Sequence, residues 1–440
     1  MEEANQAKRV ACSSDDRLSN LSDKLACHIL SFMSTEEAYR TSVLSKRWAF
    51  ICTMILDLHF KLSEETTQSV YVYAALLRRN KNIRKLNLVG DFCGEPHHVH
   101  MWISKALDLN VQELYMDLTL QKSTFLPLRL STSKSLVVLK LGGKIQFKLN
   151  SSNVVYFPSL KILHLTHIVL NSIFEDHSEF DLSFLSGCPC LEEFSLNDFF
   201  KQPLNITFPL LKRLYLDVIM PDAVYSEVKV GTAKINLLSS LEILDIIDNS
   251  ARKYEFVNFP NVDQASLCIT GNSDSRSNLY TLLNGLSNVK SLSLDPETVQ
   301  LLSMEDNLDN LSLLTFHNLV SLSVQISMNC SWNMLVSFLQ SAPNLKDLAI
   351  EKLFKSMDGN SGWEESSLTP TCLSNSLVTF EFKGIQNIKA EFDFVRYIIE
   401  RSSKLENVKI STQESKKIMS LFETKVIKGL KKKSLIILLV

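Results

Sequence analysis

The sequence predicts an α/β solenoid, one long parallel sheet backed by helices, with a small helical unit in front of it. Three observations predict it. An apolar spacing recurs thirteen times between residues 83 and 405, Pro and Asn fall at fixed offsets from it, and the first sixty residues follow a helical spacing instead. Length alone, 440 residues at roughly 150 per domain, would give about three globular domains. A repeat array overrides that count, because each repeat leans only on its neighbours. A 45% apolar and 21% charged composition excludes a disordered chain. Lys+Arg 46 against Asp+Glu 48, net −2, leaves no positive footprint for nucleic acid.

The helical unit comes first. Leu25, Ile29 and Phe32 fall at helical spacing, with Ala26, Leu30 and Met33 beside them. Ser34 and Glu37 have capping-box spacing and start a second helix, expected to carry Ala38, Val43 and Leu44. A third short helix contains Trp48, Ile51 and Cys52. A unit this small supplies only a few kcal/mol from its own core and needs a neighbour.

The repeat is L-x-x-L-x-L with other apolar residues allowed at the Leu positions. It begins at Ile83-Leu86-Leu88, Val111-Leu114-Met116 and Leu136-Leu139-Leu141, and ends at Leu377-Phe380-Phe382 and Leu405-Val408-Ile410. Its mean spacing, about 27 residues, falls in the leucine-rich-repeat range. Pro158, Pro189, Pro209, Pro260 and Pro343 lie two residues before a first apolar position. Pro cannot donate to a sheet ladder, so it belongs just outside a central strand. Asn82, Asn110, Asn261, Asn288, Asn318 and Asn344 lie immediately before it, where turn geometry suits Asn. The last two apolar positions of each copy are two apart and point to one face of a short strand. Stacked copies therefore give a parallel-sheet horseshoe, with the residue between those positions facing outward along the concave side. Intervening stretches such as Trp332 to Leu339 read as helices or turns on the convex side.

Elsewhere the sequence is less eventful. Cys93, His97, His98 and His100 (CGEPHHVH) read as a solvated loop rather than a zinc site, for want of a paired-ligand spacing. No catalytic constellation, phosphate-binding glycine loop, metal set or cofactor motif is present. No apolar run reaches the 18 or so residues of a membrane span. The N-terminus, MEEANQAKRV, has no apolar export core. The expectation is a chain of the reducing cytoplasm or nucleus, away from membranes, with its nine cysteines as free thiols. The run Lys425, Lys428, Lys431, Lys432 and Lys433 reads as a solvated face or a nuclear signal. Leu435 to Val440 reads as a strand closing the solenoid after a C-terminal helix.

Three stretches carry a resemblance: Asp16-Arg17-Leu18-Ser19-Asn20-Leu21, Cys27-His28-Ile29-Leu30-Ser31-Phe32, and Ala38 to Trp48 with the run TSVLSKRW. Together they resemble the plant F-box over residues 15–60. A connecting segment (61–82) and irregular leucine-rich repeats (83–369) follow. Residues 370–410, from Thr371-Cys372-Leu373 to Leu405-Glu406-Asn407-Val408-Lys409-Ile410, are similar to the FBD module, or equally to two last repeats with a helix over Phe392–Arg401. Residues 411–440 close the chain.

The resemblance to the F-box/leucine-rich-repeat family implies a non-enzymatic subunit of a Skp–cullin–F-box ubiquitin ligase. In that family the F-box docks on a Skp-type adaptor, and through it on a cullin–RING ligase, while the repeats hold a protein substrate. The family's adaptor surface falls on Leu21, Leu25, Ile29, Leu30, Val43, Leu44 and Trp48; the core of the three-helix unit competes for the same side chains. Ser22 stands where the family has Pro and Lys24 where it has an acidic residue, and Met33-Ser34 lacks the family's Pro after the first helix. A non-degradative repeat scaffold with a weakened F-box is the alternative. Outward positions are large or polar in the N-terminal half, so the substrate surface is expected around Tyr115, Lys140, His164, Tyr215 and Asp245.

Overall fold

A computed structural model of the chain describes residues 18–63, 68–149, 155–172, 180–181, 187–197, 204–219, 232–236, 241–250, 252–257, 262–271, 273–303, 314–327, 331–353, 363, 369–386, 388–412 and 436–439. The chain divides into two compact units. One is residues 1–162 with 167–173, and the other residues 163–166 with 174–440.

The first unit opens with three short helices, α1 (Asp23–Leu30), α2 (Thr35–Arg40) and α3 (Lys46–Cys52). Each has a serine cap. Ser22 Oγ accepts from the Leu25 amide, Ser34 and Glu37 form both bonds of a capping box, and Ser45 Oγ accepts from the Trp48 amide. One expectation is corrected: α2 does not reach Val43 and Leu44. The Thr41 hydroxyl donates to the Ala38 carbonyl at 2.7 Å, and the chain tightens into a 3-10 turn over Thr41–Val43.

Parallel strands follow: β1 (Asp57–Leu62), β2 (Lys85–Phe92), β3 (Glu113–Leu120), the short β4 (Thr124–Phe125) and β5 (Val138–Leu149). β1 pairs with β2, β2 with β3, β3 with β5, and β4 with the far end of β5. Two helices back the strands, α4 (Gln68–Leu77) and α5 (Pro96–Asp108). The repeats in fact begin one copy earlier than Ile83, since Ile55-Leu58-Phe60 matches the spacing and all three side chains are buried. β1 and α4 thus occupy the end of the stretch read as F-box and the segment read as a connector. A second correction concerns CGEPHHVH. His97, His98 and His100 are not in a loop but in the first turns of α5, because Pro96 takes the first helical position. Among the described residues no three His, Cys, Asp or Glu side chains are placed to hold a metal.

β6 (Ile162–Ser172) spans the division between the units. In the second unit, the main ladder runs through β8 (Glu193–Asn197), β10 (Arg213–Val218), β12 (Ile243–Asp248), β14 (Gln264–Ile269), β15 (Ser291–Leu294), β16 (Ser321–Ile326), β17 (Asp347–Lys352), β18 (Thr379–Lys383), β19 (Asn407–Ser411) and β20 (Ile436–Leu439). Every pair is parallel, and the register places repeat on repeat: Leu214 beside Leu244, Leu244 beside Ala265, Leu292 beside Leu322. β20 lies on β19 with Ile436 opposite Asn407. The helix expected before it, and the basic run with it, lie outside the described residues.

Helices α6 (Ser273–Gly285), α7 (Pro296–Ser303), α8 (Trp332–Ser341), α9 (Thr371–Asn375) and α10 (Lys389–Arg401) return the chain in the later repeats. The earlier repeats of this unit differ from expectation. Their return segments form a second parallel sheet, β13 (Tyr254–Val257), β11 (Ala233–Asn236), β9 (Leu204–Thr207) and β7 (Phe180–Asp181), in that order. β9 and β13 fall in the short spacings of 20 residues from Leu191 to Leu211 and 21 from Leu241 to Val262, which leave room for a four-residue strand but not for a helix of three turns.

The Asn punctuation has a physical basis. Asn110 adopts φ +50°, the left-handed conformation Asn tolerates, and its amide donates to the Asn82 side chain at 3.1 Å, one repeat to the next. Asn344 likewise donates to the His317 carbonyl at 2.8 Å. No helix among the described residues is long and apolar enough to cross a membrane.

Candidate interaction surfaces

Two surfaces remain after the core is assigned. The first lies on the three-helix unit. Ala26 and Leu30 turn inward from α1 together with Ala38, Trp48, Ile51 and Cys52. Leu25, Ile29 and Phe32, at helical spacing, turn outward, and so do Met33, Val43 and Leu44; these six side chains are between 39% and 85% exposed. Leu21 is half-buried. The expectation is corrected at two residues. Leu30, 2% exposed, and Trp48, 9% exposed, are core and support the surface from beneath. Phe32 and Met33 join the surface instead; the same helical spacing that predicted α1 had pointed to them.

Arg47, next to last in TSVLSKRW, fastens this surface. Its guanidinium donates to Asp23 Oδ1 at 2.9 Å, to the Ser19 carbonyl at 2.6 Å and to the Leu21 carbonyl. α3 therefore holds the start of α1. A second fastening runs to the repeats. Arg79, 4% exposed, donates to the Ala75 carbonyl at 2.8 Å, to the Cys52 carbonyl at 2.9 Å, to the Tyr39 hydroxyl at 3.0 Å and to the Ile55 carbonyl. Thr35 Oγ1, at the start of α2, accepts from the His59 amide of β1 at 2.7 Å. That bond satisfies a donor on a strand edge that would otherwise invite another chain.

The second surface is the outward row of the strands. In the first unit His59, Asn87, Tyr115 and Lys140 stand side by side in register. The Lys85 ammonium lies 4.2 Å from the Tyr115 ring centroid and the Lys140 ammonium 5.7 Å from it. The phenol donates to Glu113 at 3.4 Å; burial, and then that carboxylate, push its pKa up. In the second unit His164 Nε2 and Glu193 Oε1 are 2.6 Å apart, and Arg213 donates to Glu193 Oε2 at 2.9 Å. Burial alone would raise the Glu193 pKa, but the bonds from His164 and Arg213 outweigh it and hold it below the usual range. Tyr215 lies between Ser195 and Asp245. Asp245 is pushed up by burial, then by Asp295 and Asp217. The structure thus brings Tyr115 and Lys140 together in one unit, and Tyr215 and Asp245 in the other. Lys85, Glu193 and Arg213 were missed, although strand parity places each on the same outward face, two residues before the predicted position.

Comparison with known proteins gives the family. The F-box domain model matches residues 18–59 and the FBD model residues 364–410. An F-box/FBD/LRR-repeat protein of Arabidopsis thaliana is 30% identical over 418 residues, covering 91% of this chain and 93% of the relative. An Arabidopsis F-box/LRR-repeat protein is 30% identical over 370 residues, covering 77% of this chain and 92% of that one. The chain belongs to the F-box/FBD/LRR-repeat family.

Within this family chain, the F-box match ends at residue 59, inside β1, so the module finishes on the first strand of the sheet. The FBD match covers α9, β18, α10 and β19. β18 and β19 pair in register with each other and β18 with β17, so the FBD also continues the repeat ladder. At the departure from the family's Pro, Ser22 supplies a side-chain cap where Pro would have pre-set the backbone.

Proposed function

We propose that the chain is the substrate-recognition subunit of a Skp–cullin–F-box ubiquitin ligase. Its F-box docks on a Skp-type adaptor through Leu21, Leu25, Ile29, Val43 and Leu44, and its repeats hold a protein substrate. The observation that carries this reading is the F-box match together with the apolar side chains this three-helix unit leaves outside its own core. Exposed Leu25, Ile29, Phe32, Val43 and Leu44 form the kind of patch that marks a protein interface. On this reading the chain supplies no catalytic group. It contributes proximity, holding a substrate lysine near a thioester carried by another subunit. Cytoplasm and nucleus, where such ligases work, are the proposed location.

A non-degradative scaffold is the second reading, and Ser22 and Lys24, at positions where the family has Pro and an acidic residue, favour it. Affinity purification of the tagged chain under proteasome inhibition separates the two. The ligase reading expects adaptor, cullin and ubiquitin-modified captured proteins with the wild-type chain. It expects the same captured proteins, without ubiquitin or cullin, with Leu25→Asp/Val43→Asp. Captured proteins whose ubiquitin is indifferent to the double substitution would support the scaffold.

A further inference from the structure

We infer that the outward face of the first unit, around Tyr115, is the docking site for an acidic segment of the captured protein, gripped by Lys85 and Lys140. The inference rests on the reading of the repeats as the capture surface and names the chemistry that surface selects.

The geometry supplies two cations outside any close ion pair. Lys85 on β2 and Lys140 on β5 approach the one ring of Tyr115, on the strand between them, at 4.2 and 5.7 Å. Among the described residues neither ammonium has a carboxylate within 4.0 Å, although Lys85 lies near enough to Asp57 to help lower its pKa. Two nearby carboxylates are otherwise engaged. Asp57 is held by Arg84 through two bonds, one of them 2.8 Å, and Glu113 accepts the Tyr115 phenol. Asp117, two residues along β3, sits over Gly142, where an added Cβ would lie 2.8 Å from its Oδ1.

A ring with a cation over it pre-positions the charge, since cation–π attraction holds the ammonium without neutralising it. An ammonium so held can donate to an incoming carboxylate or phosphate in a charge-assisted bond. His59 and Asn87 extend the same row with further donors; their side chains lie 3.4 Å apart. The partially buried Tyr115 supplies an amphipathic contact suited to the centre of an interface. Acidic side chains and phosphorylated hydroxyls share the anion chemistry, so the test must separate them.

Fluorescence anisotropy on the full chain does so with three labelled peptides: one rich in glutamate, its glutamine counterpart, and the glutamine peptide carrying phosphoserines. The expected result is binding of the glutamate peptide over the glutamine peptide, weakened as salt rises. In Lys85→Gln/Lys140→Gln that binding should fall by about tenfold or more, each charge-assisted bond being worth a substantial share of it. Tyr115→Leu, which leaves both lysines but removes the ring, should weaken it in part. Binding of the glutamate peptide supports the acidic segment, and binding of the phosphoserine peptide alone overturns it. Equal affinity for all three peptides, or anionic binding unchanged in the lysine variant, overturns the inference. Adaptor binding by the same lysine variant should remain at wild-type strength. Loss of adaptor binding by the wild-type chain, with peptide binding retained, would count against the ligase reading and not against this site.

Discussion

Arg79 is a buried cation answered by carbonyls and a phenol, all in the first unit. Removing it leaves several buried acceptors without donors, each costing about 1–3 kcal/mol. Arg79→Met is therefore expected to lower stability by about 3 kcal/mol, whereas Tyr39→Phe, which keeps the carbonyl bonds, costs about 1 kcal/mol. Native-state hydrogen exchange over residues 35–62 reads both. Glu193 and Asp245 give opposite signs in the second unit. The Glu193 pKa is depressed on folding, so its stabilisation is complete above the ordinary glutamate value of 4.5 and fades as pH falls through the lowered one. Glu193→Gln should thus cost stability at neutral pH, and the gap should close in acid. The Asp245 pKa is raised, so its charged form costs stability above that value. Asp245→Asn should stabilise at neutral pH and lose its advantage as pH falls toward the ordinary aspartate range. Urea melts between neutral and acidic pH test both; parallel curves for wild type and either variant would contradict the assignments. None of these contacts was legible in the sequence. Arg79 and Tyr39 are 40 residues apart, and only the folded chain brings them together.

At the scale of elements, what could be read and what could not divides by periodicity. The buried L-x-x-L-x-L positions and the outward residues between them were legible because strand parity fixes both at once. β1 was equally legible, as Ile55-Leu58-Phe60, and was hidden only by the F-box that ends inside it. The second sheet was not legible: four-residue strands such as Leu204–Thr207 are too short to show a period. α5 was obscured because Gly94 and Pro96 read as loop residues, yet Pro also opens helices. For the exposed apolar side of the three-helix unit the helical spacing picked out the outward face of α1, but a family motif cannot tell exposed residues from the core beneath them, hence Leu30 and Trp48. The junction of α2 and β1 gives a direct test. Thr35→Val removes the acceptor of the His59 amide and should cost about 1–3 kcal/mol. Protection of the His59 amide against exchange should fall with it; an unchanged rate would show that the bond is not what covers the strand edge.

At the scale of the molecule, the second unit depends on its FBD. Lys352, at the end of β17, pairs with Glu391 of α10, both nearly fully buried, and Glu391 also accepts the Gln386 amide at 2.7 Å. Trp332 of α8 packs against Phe394 with ring centroids 4.8 Å apart. Gly384 makes the tight exit from β18 at φ +79°, where a Cβ would come within 2.5 Å of the Lys352 carbonyl. A chain ending before residue 370 loses these partners, leaves Lys352 without Glu391 and exposes the β17 edge. It is expected to aggregate or to lose the cooperative unfolding of the second unit, as light scattering and calorimetry would show. The central claim, however, concerns the other end of the chain, and calorimetric titration of the purified full chain with a Skp-type adaptor tests it most directly. A saturable complex with a negative heat-capacity change from apolar burial is expected, abolished by Leu25→Asp/Val43→Asp and retained in Lys85→Gln/Lys140→Gln. No binding by the wild-type chain, or binding that survives Leu25→Asp/Val43→Asp unchanged, would contradict it.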